Sequence, residues 1–186
     1  MRIISGSMRG TKLFTLDGEN TRPTLDRVKE ALFSKINEKL YNATVLDLFS
    51  GSGALGLESI SRGAKKVIAC DSSREAVKII NQNIAKTRTE TQIKVLNCDY
   101  KKAIQSIKND NIKFDIIFLD PPYKTNFAED SVKQIISFNL LQDNGIIIIE
   151  TDNIDKVISN LDSTIVNIYD SKKYGRVYLL FLNKII

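Results

Sequence analysis

The chain has 186 residues, 42% of them hydrophobic and 26% charged, with a formal net charge of +5 and no histidine. The missing imidazole excludes His-based acid–base catalysis, Ser-His and Cys-His nucleophile pairs and the common His-containing metal sites, so no metal is expected. Apolar runs such as Gly145 to Ile149 are far too short to cross a bilayer, and the residues after Met1 lack the apolar stretch of a secretory signal. These features predict a cytoplasmic protein with no membrane role, and the positive charge favours an anionic partner such as nucleic acid.

Residues 1–43 differ in character from the rest. Met1 to Leu16 carries two short β-prone pieces around Gly6-Ser7-Met8-Arg9-Gly10, which predicts a small hairpin. Asn20-Thr21-Arg22-Pro23-Thr24 then reads as a helix entry, and Val28, Leu32, Ile36 and Leu40 give the following helix one apolar stripe. This segment is expected to be an extension packed on a core of residues 44–186, the whole forming effectively one domain.

From Thr44 onward apolar strands alternate with amphipathic helical patterns, the signature of βαβ units and a parallel sheet covered on both faces. The expected strands are Thr44 to Phe49, Lys66 to Asp71, Gln92 to Asn97, Phe114 to Leu119, Gly145 to Glu150, Thr164 to Tyr169 and Arg176 to Leu182. Ser72 and Glu75 form an S-x-x-E capping box, and Ala76, Val77, Ile80 and Ile84 share one face, so a helix is expected over Ser73 to Thr87. Asp170 to Gly175 is too short for a parallel crossover, which makes the last two strands an antiparallel hairpin with Gly175 in its turn. Cys70 and Cys98 close two predicted strands, form no CxxC pair, and read as small buried hydrophobes.

Four features fall at successive strand ends, where ligands bind in open α/β sheets. Asp47-Leu48-Phe49-Ser50-Gly51-Ser52-Gly53-Ala54-Leu55-Gly56 puts glycines between the first parallel strand and its helix. Gly51 to Gly56 satisfies G-x-G-x-x-G, which suggests a dinucleotide, but a carboxylate four residues before the glycines repels a pyrophosphate and welcomes an ammonium or sulfonium group. Asp71, about 20 residues later, is placed to accept ribose hydroxyls. Asp99 is placed to accept an adenine amine, or equally to cap the helix that follows it. Asp120-Pro121-Pro122-Tyr123 is a rigid loop whose acceptors and aromatic face suit a flat base bearing an exocyclic amine.

On these motifs the chain resembles the class I S-adenosylmethionine-dependent methyltransferases. Arg2 to Gly6, Arg9-Gly10, Asn20 to Thr24 and Arg27 to Phe33 narrow the resemblance to the RsmD type, which methylates a guanine N2 in small-subunit ribosomal RNA. The resemblance implies an α/β, Rossmann-like fold: a seven-stranded, mostly parallel sheet with an antiparallel last strand and helices on both faces, plus the N-terminal hairpin and helix. It implies S-adenosylmethionine as cofactor, held by Asp47, Ser50, Gly51, Ser52 and Gly53 at its methionine part, Asp71 and Ser72 at its ribose, and Cys98, Asp99 and Tyr100 at its adenine. Arg22 and Thr24 would close over the cofactor carboxylate, and Asp120, Pro121, Pro122 and Tyr123 would hold the target base.

By the same resemblance the substrate is 16S ribosomal RNA at the guanine-966 site, within a ribosomal particle, and the protein acts as a monomer. Arg2, Arg9, Lys12, Lys172, Lys173 and Arg176 are the cations that could track phosphate or stand as solvated surface charge. The rivals are a DNA N6-adenine methyltransferase, a non-catalytic RNA-binding or assembly protein that retains the pocket, and a nicotinamide-dependent oxidoreductase.

Overall fold

The computed structural model describes residues 1–16 and 23–185. Strands β1 (Thr44–Asp47), β2 (Lys66–Asp71), β3 (Ile93–Asn97), β4 (Phe114–Leu119), β5 (Leu141–Thr151), β6 (Val166–Tyr174) and β7 (Val177–Lys184) form one sheet in the order β3-β2-β1-β4-β5-β7-β6. The first five pair in parallel, while β7 runs antiparallel between β5 and β6. Helices α1 (Pro23–Lys35), α2 (Ala54–Ser61), α3 (Arg74–Thr87), α4 (Tyr100–Asn109), α5 (Phe127–Ser137) and α6 (Ile154–Asn160) complete the chain.

The central strands are apolar at nearly every position because both faces are covered. Their two-residue alternation divides the core. Ile116, Phe118, Ile146 and Ile148 pack with Leu32 and Phe33 of α1, Leu57 of α2 and Ile80 of α3. Ile117, Leu119, Ile147 and Ile149 pack against Ala103 and Ile107 of α4, Val132 and Ile135 of α5, and Val157 of α6.

Several boundaries differ from the sequence expectation. β5 begins at Leu141, because Leu141 pairs with Phe114 before a register shift restores pairing at Ile146, so the turn-like Asp143-Asn144-Gly145 lies inside a strand. β6 reaches Tyr174, since Lys172, Lys173 and Tyr174 pair with Leu179, Tyr178 and Val177; Gly175 then turns the hairpin at φ +62°. Ser73, not Ser72, caps α3, its hydroxyl accepting from the Ala76 N–H. The first helix ends at Lys35, and a 3₁₀ turn at Asn37–Lys39 carries the stripe onward, leaving Val28, Leu32, Ile36 and Leu40 all buried.

The predicted N-terminal hairpin forms around one antiparallel bridge between Arg2 and Lys12, with the Ile3 N–H donating to the Thr11 carbonyl and the Leu13 N–H to the Met1 carbonyl, both at 3.0 Å. What fixes this arm is a buried carboxylate. Glu58 of α2 is fully buried and accepts the Ile4 and Ser5 N–H groups at 2.8 and 3.0 Å, the Arg62 guanidinium at 2.8 Å and the Lys29 ammonium at 3.3 Å. Lys29 also donates to the Arg2 carbonyl, so α1, α2 and the arm share one charge cluster. Its partners satisfy the carboxylate from four sides, the condition under which a buried charge is tolerable.

Candidate functional site

The strand order reverses between β1 and β4, and the crevice outside such a switch point is where open α/β sheets bind ligands. A cleft of about 1330 Å³ opens there, lined by the residues after β1, β2, β3 and β4, by Glu150 of β5, and by Tyr174 to Val177 at the final hairpin. Met1, Leu16, Val28, Lys29 and Leu32 from the arm and α1 form another wall. The N-terminal extension is therefore part of the site.

The glycine loop is set by its own backbone. The Ser50 hydroxyl donates to the Asp47 carbonyl at 2.7 Å and accepts the Cys70 N–H at 3.1 Å, tying the loop to the end of β2. Gly51 and Gly53 sit at φ +53° and +78°, a region that disfavours side chains, and Gly53 opens α2 in that conformation. The Gly51 N–H donates to Asp71 Oδ2 at 2.9 Å, and the Ser73 N–H to Asp71 Oδ1 at 2.8 Å. Both carboxylate oxygens are thus oriented while the group still lines the cleft.

The other predicted residues divide by position. Ser50, Gly51, Ser52, Asp71, Ser72, Cys98, Asp99, Tyr100 and Asp120 to Tyr123 all line the cleft. Asp47 and Gly53 do not, which corrects the expectation that the Asp47 carboxylate faces a ligand. Asp47 is buried behind the loop and accepts the Gly56 N–H at 3.2 Å; burial outweighs that bond and pushes its carboxyl up to about 7. Asp99 caps α4, one of its two sequence readings, by accepting the Lys101 and Lys102 N–H groups, and it also borders the cleft. Those bonds, with the charge of Lys102, hold its carboxyl below the usual range. Cys70 is a buried thiol as expected, but Cys98 is only half-buried and faces the cleft. Arg22 lies outside the described residues, as does the side chain of Thr24.

At the other end of the cleft the Asp120–Tyr123 loop is braced by Thr125, whose hydroxyl donates to the Pro122 carbonyl at 2.8 Å. Tyr123 presents a ring 49% exposed. Partial burial and the carboxylates Glu150, Asp120 and Asp152 push its hydroxyl up to about 12, so it stays neutral at physiological pH. Phe49, Phe127 and Glu150 also line the cleft, though the sequence reading gave them no role there. Phe49 and Phe127 stack with their rings 9° from parallel, and Tyr100 tilts against both, so an aromatic wall joins the glycine loop to the start of α5. Glu150, at the end of β5, lies beside Tyr123, and loss of water pushes its carboxyl up. Its place in an apolar run gave no local signal; only the strand-end position it shares with Asp71 and Asp120 pointed to it.

Among the candidate phosphate-binding cations, Arg176 lines the cleft, whereas Arg2, Arg9, Lys12, Lys172 and Lys173 are exposed elsewhere. Arg2 pairs with Asp26 at 3.5 Å, and the Lys173 ammonium lies over the Tyr178 ring. Among the described residues no cluster of His, Cys, Asp or Glu could hold a metal ion, and no helix is long and apolar enough to cross a membrane.

Comparison with known proteins agrees with this architecture. The model of the family described as conserved hypothetical protein 95 matches residues 1–183. The chain is 34% identical to ribosomal RNA small subunit methyltransferase D of Buchnera aphidicola subsp. Baizongia pistaciae, over 98% of this chain and 92% of that one. It is 37% identical to the protein of the same name from Haemophilus influenzae, over 82% and 79% of the two chains. The solved structure of yhhF from Escherichia coli superposes with a TM-score of 0.84 at 26% identity, covering 99% of this chain and 97% of its own. The seven-stranded sheet with its antiparallel last pair is the class I methyltransferase arrangement. With the match running from the arm to the final hairpin, this chain belongs to the conserved hypothetical protein 95 family, the RsmD type of class I methyltransferase.

Proposed function

We propose that this protein transfers a methyl group from S-adenosylmethionine to the exocyclic N2 amine of a guanine in small-subunit ribosomal RNA, at the guanine-966 site. The observation that carries the reading is one cleft holding both a glycine loop with acidic strand ends and the Asp120–Tyr123 loop. The first half suits a cationic nucleoside cofactor, and the second suits a planar amine.

The cofactor would supply an electrophilic methyl on a sulfonium. Asp71, preset by the Gly51 and Ser73 N–H groups, has lone pairs left for two ribose hydroxyls, and Asp99 with Cys98 and Tyr100 borders the adenine position. Ser50, Ser52 and the Gly51 backbone face the methionine part. Asp47 and Gly53 act from behind, holding the loop against α2. Arg22 and Thr24 are assigned to the cofactor carboxylate.

An exocyclic amine is a poor nucleophile because its lone pair is delocalised into the ring. Acceptors at Asp120 and the Pro121 carbonyl draw the amine protons out of the ring plane, while Tyr123 stacks on the base and fixes its approach. Thr125 donates to the Pro122 carbonyl and so braces the loop that presents these acceptors. As the N–C bond forms and the C–S bond breaks, the amine proton passes to Asp120 or to water, so no imidazole is needed. The base must leave its stack to reach the pocket, which favours a looped or single-stranded target. Arg2, Arg9, Lys12, Lys172, Lys173 and Arg176 supply the phosphate contacts.

The test is to incubate the protein with labelled S-adenosylmethionine and, separately, undermethylated small subunits, free ribosomal RNA and DNA, and to identify the modified nucleoside. N2-methylguanosine in the small subunit is expected. N6-methyladenine in DNA refutes the proposal.

A further inference from the structure

The Asp-Pro-Pro-Tyr loop accepts an amine from guanine or adenine alike, so base choice must come from another group. In the parallel pairing of β4 with β5, Leu119 lies opposite Ile149. The next residues, Asp120 and Glu150, therefore leave neighbouring strand ends side by side. Phe118 and Ile148, two residues earlier, share one apolar layer, so strand alternation sends Glu150 to that same face, while Asp120 is the first residue past the end of β4. Both line the cleft, and both raise the hydroxyl pKa of Tyr123. Two carboxylates and an aromatic ring thus border the same end of the cleft, the first carboxylate on the amine-binding loop and the second on a rigid strand.

We propose that Glu150 selects guanine by accepting its N1–H while Asp120 accepts the N2 amine. The inference rests on the methyltransfer reading above. Guanine presents N1–H and the N2 amine next to each other, a donor–donor edge that matches two adjacent carboxylates. Adenine presents its amine beside N1, whose lone pair would face Glu150 and be repelled. Burial of Glu150 sharpens the choice, because a carboxylate short of water loses most when a base offers it no donor. Setting the reader on β5 and the reacting loop after β4 also separates selection from positioning of the amine.

The experiment compares kcat/KM on small-subunit RNA carrying, at the methylated position, either guanine or 2-aminopurine introduced by splint ligation. 2-Aminopurine keeps the N2 amine but offers N1 as an acceptor. The wild-type protein is expected to prefer guanine by about 30-fold or more, a ratio typical of a lost donor–acceptor pair. In Glu150→Gln, whose amide can donate to N1, the preference should fall to within about 3-fold. The ratio is internal to each protein, and titration with S-adenosylhomocysteine establishes that the variant is folded. Equal wild-type rates on the two bases would overturn the proposal without recourse to any variant, and so would an unchanged ratio in Glu150→Gln; in either case methylation of guanine itself would still stand. Failure of the wild-type protein to methylate guanine would remove the underlying reading, and this inference with it.

Discussion

Asn83 holds Phe14 by both of its backbone groups. Its Oδ1 accepts the Phe14 N–H at 2.8 Å, and its Nδ2 donates to the Phe14 carbonyl at 3.0 Å. The same Nδ2 donates to the Ser52 carbonyl at 2.9 Å, so one fully buried side chain on α3 ties the N-terminal arm to the glycine loop. Asn83→Leu keeps the branched shape and the number of heavy atoms and removes all three bonds, leaving buried backbone groups unpaired. A loss of about 2–4 kcal/mol is expected in urea unfolding, with weaker S-adenosylhomocysteine binding in calorimetry. Unchanged cofactor affinity in a destabilised variant would show that the arm and the loop are mechanically independent.

Gly6 gives the arm its second fixed point. It sits at φ +85°, and a Cβ there would lie 1.8 Å from the Ser61 carbonyl oxygen, which the Ser7 N–H meets at 2.8 Å. Backbone cannot yield as a flexible side chain does, so Gly6→Ala must displace the arm. Limited proteolysis should cut the variant within residues 1–16 at least about tenfold faster than wild type, whereas Gly10→Ala, strained by the same φ of +85° but with open space around its Cβ, should be cut less rapidly than Gly6→Ala.

Asp47 predicts a pH dependence with a definite sign. Its folded-state carboxyl titrates at about 7 against an ordinary value of 3.8, so the folded protein holds a proton that the unfolded chain releases. The stabilisation is fully present below about pH 4 and is lost as pH rises towards about 7, with a slope of at most about 1.4 kcal/mol per pH unit. Asp47→Asn keeps an acceptor for the Gly56 N–H and removes the titration. The difference between the two proteins' urea-unfolding free energies should therefore grow in the variant's favour from pH 4.5 to 7 and level off above it. A constant difference would contradict this origin.

Tyr123 separates stacking from hydroxyl chemistry. With its hydroxyl pushed up to about 12, the phenol is neutral during turnover and its ring is the useful part. Tyr123→Phe should retain methyltransfer within about threefold. Tyr123→Ala should lose about 1–3 kcal/mol of transition-state stabilisation, roughly 5- to 150-fold in kcat/KM on ribosomal RNA. Full activity in the alanine variant would refute base stacking at this position.

Much of the fold could be read along the chain because its signals are local. Apolar runs such as Phe114 to Leu119 locate strands, and the Ala76, Ile80 and Ile84 spacing locates α3. Boundaries failed where pairing overruled composition. Leu141 to Asn144 lies outside the expected strand but extends because Leu141 finds Phe114, and the arm's pairing stops at one bridge, where Glu58 takes the next N–H groups, those of Ile4 and Ser5. Site residues at strand ends were legible for the same positional reason, since successive carboxyl termini of a parallel sheet must converge.

Residue types and local spacing set the chemistry on offer: no imidazole, a glycine turn, acidic strand ends and a proline-stiffened loop beside an aromatic ring. These depend on residue type and on neighbours within a few positions. Which groups meet follows from the folded sheet. It turned Asp47 inward to Gly56, set Asp71 by the Gly51 and Ser73 N–H groups, and put Glu150 beside Asp120 from a strand about 30 residues on. Register between strands and the direction of a buried side chain come from packing over the whole sheet, and no local pattern encodes them.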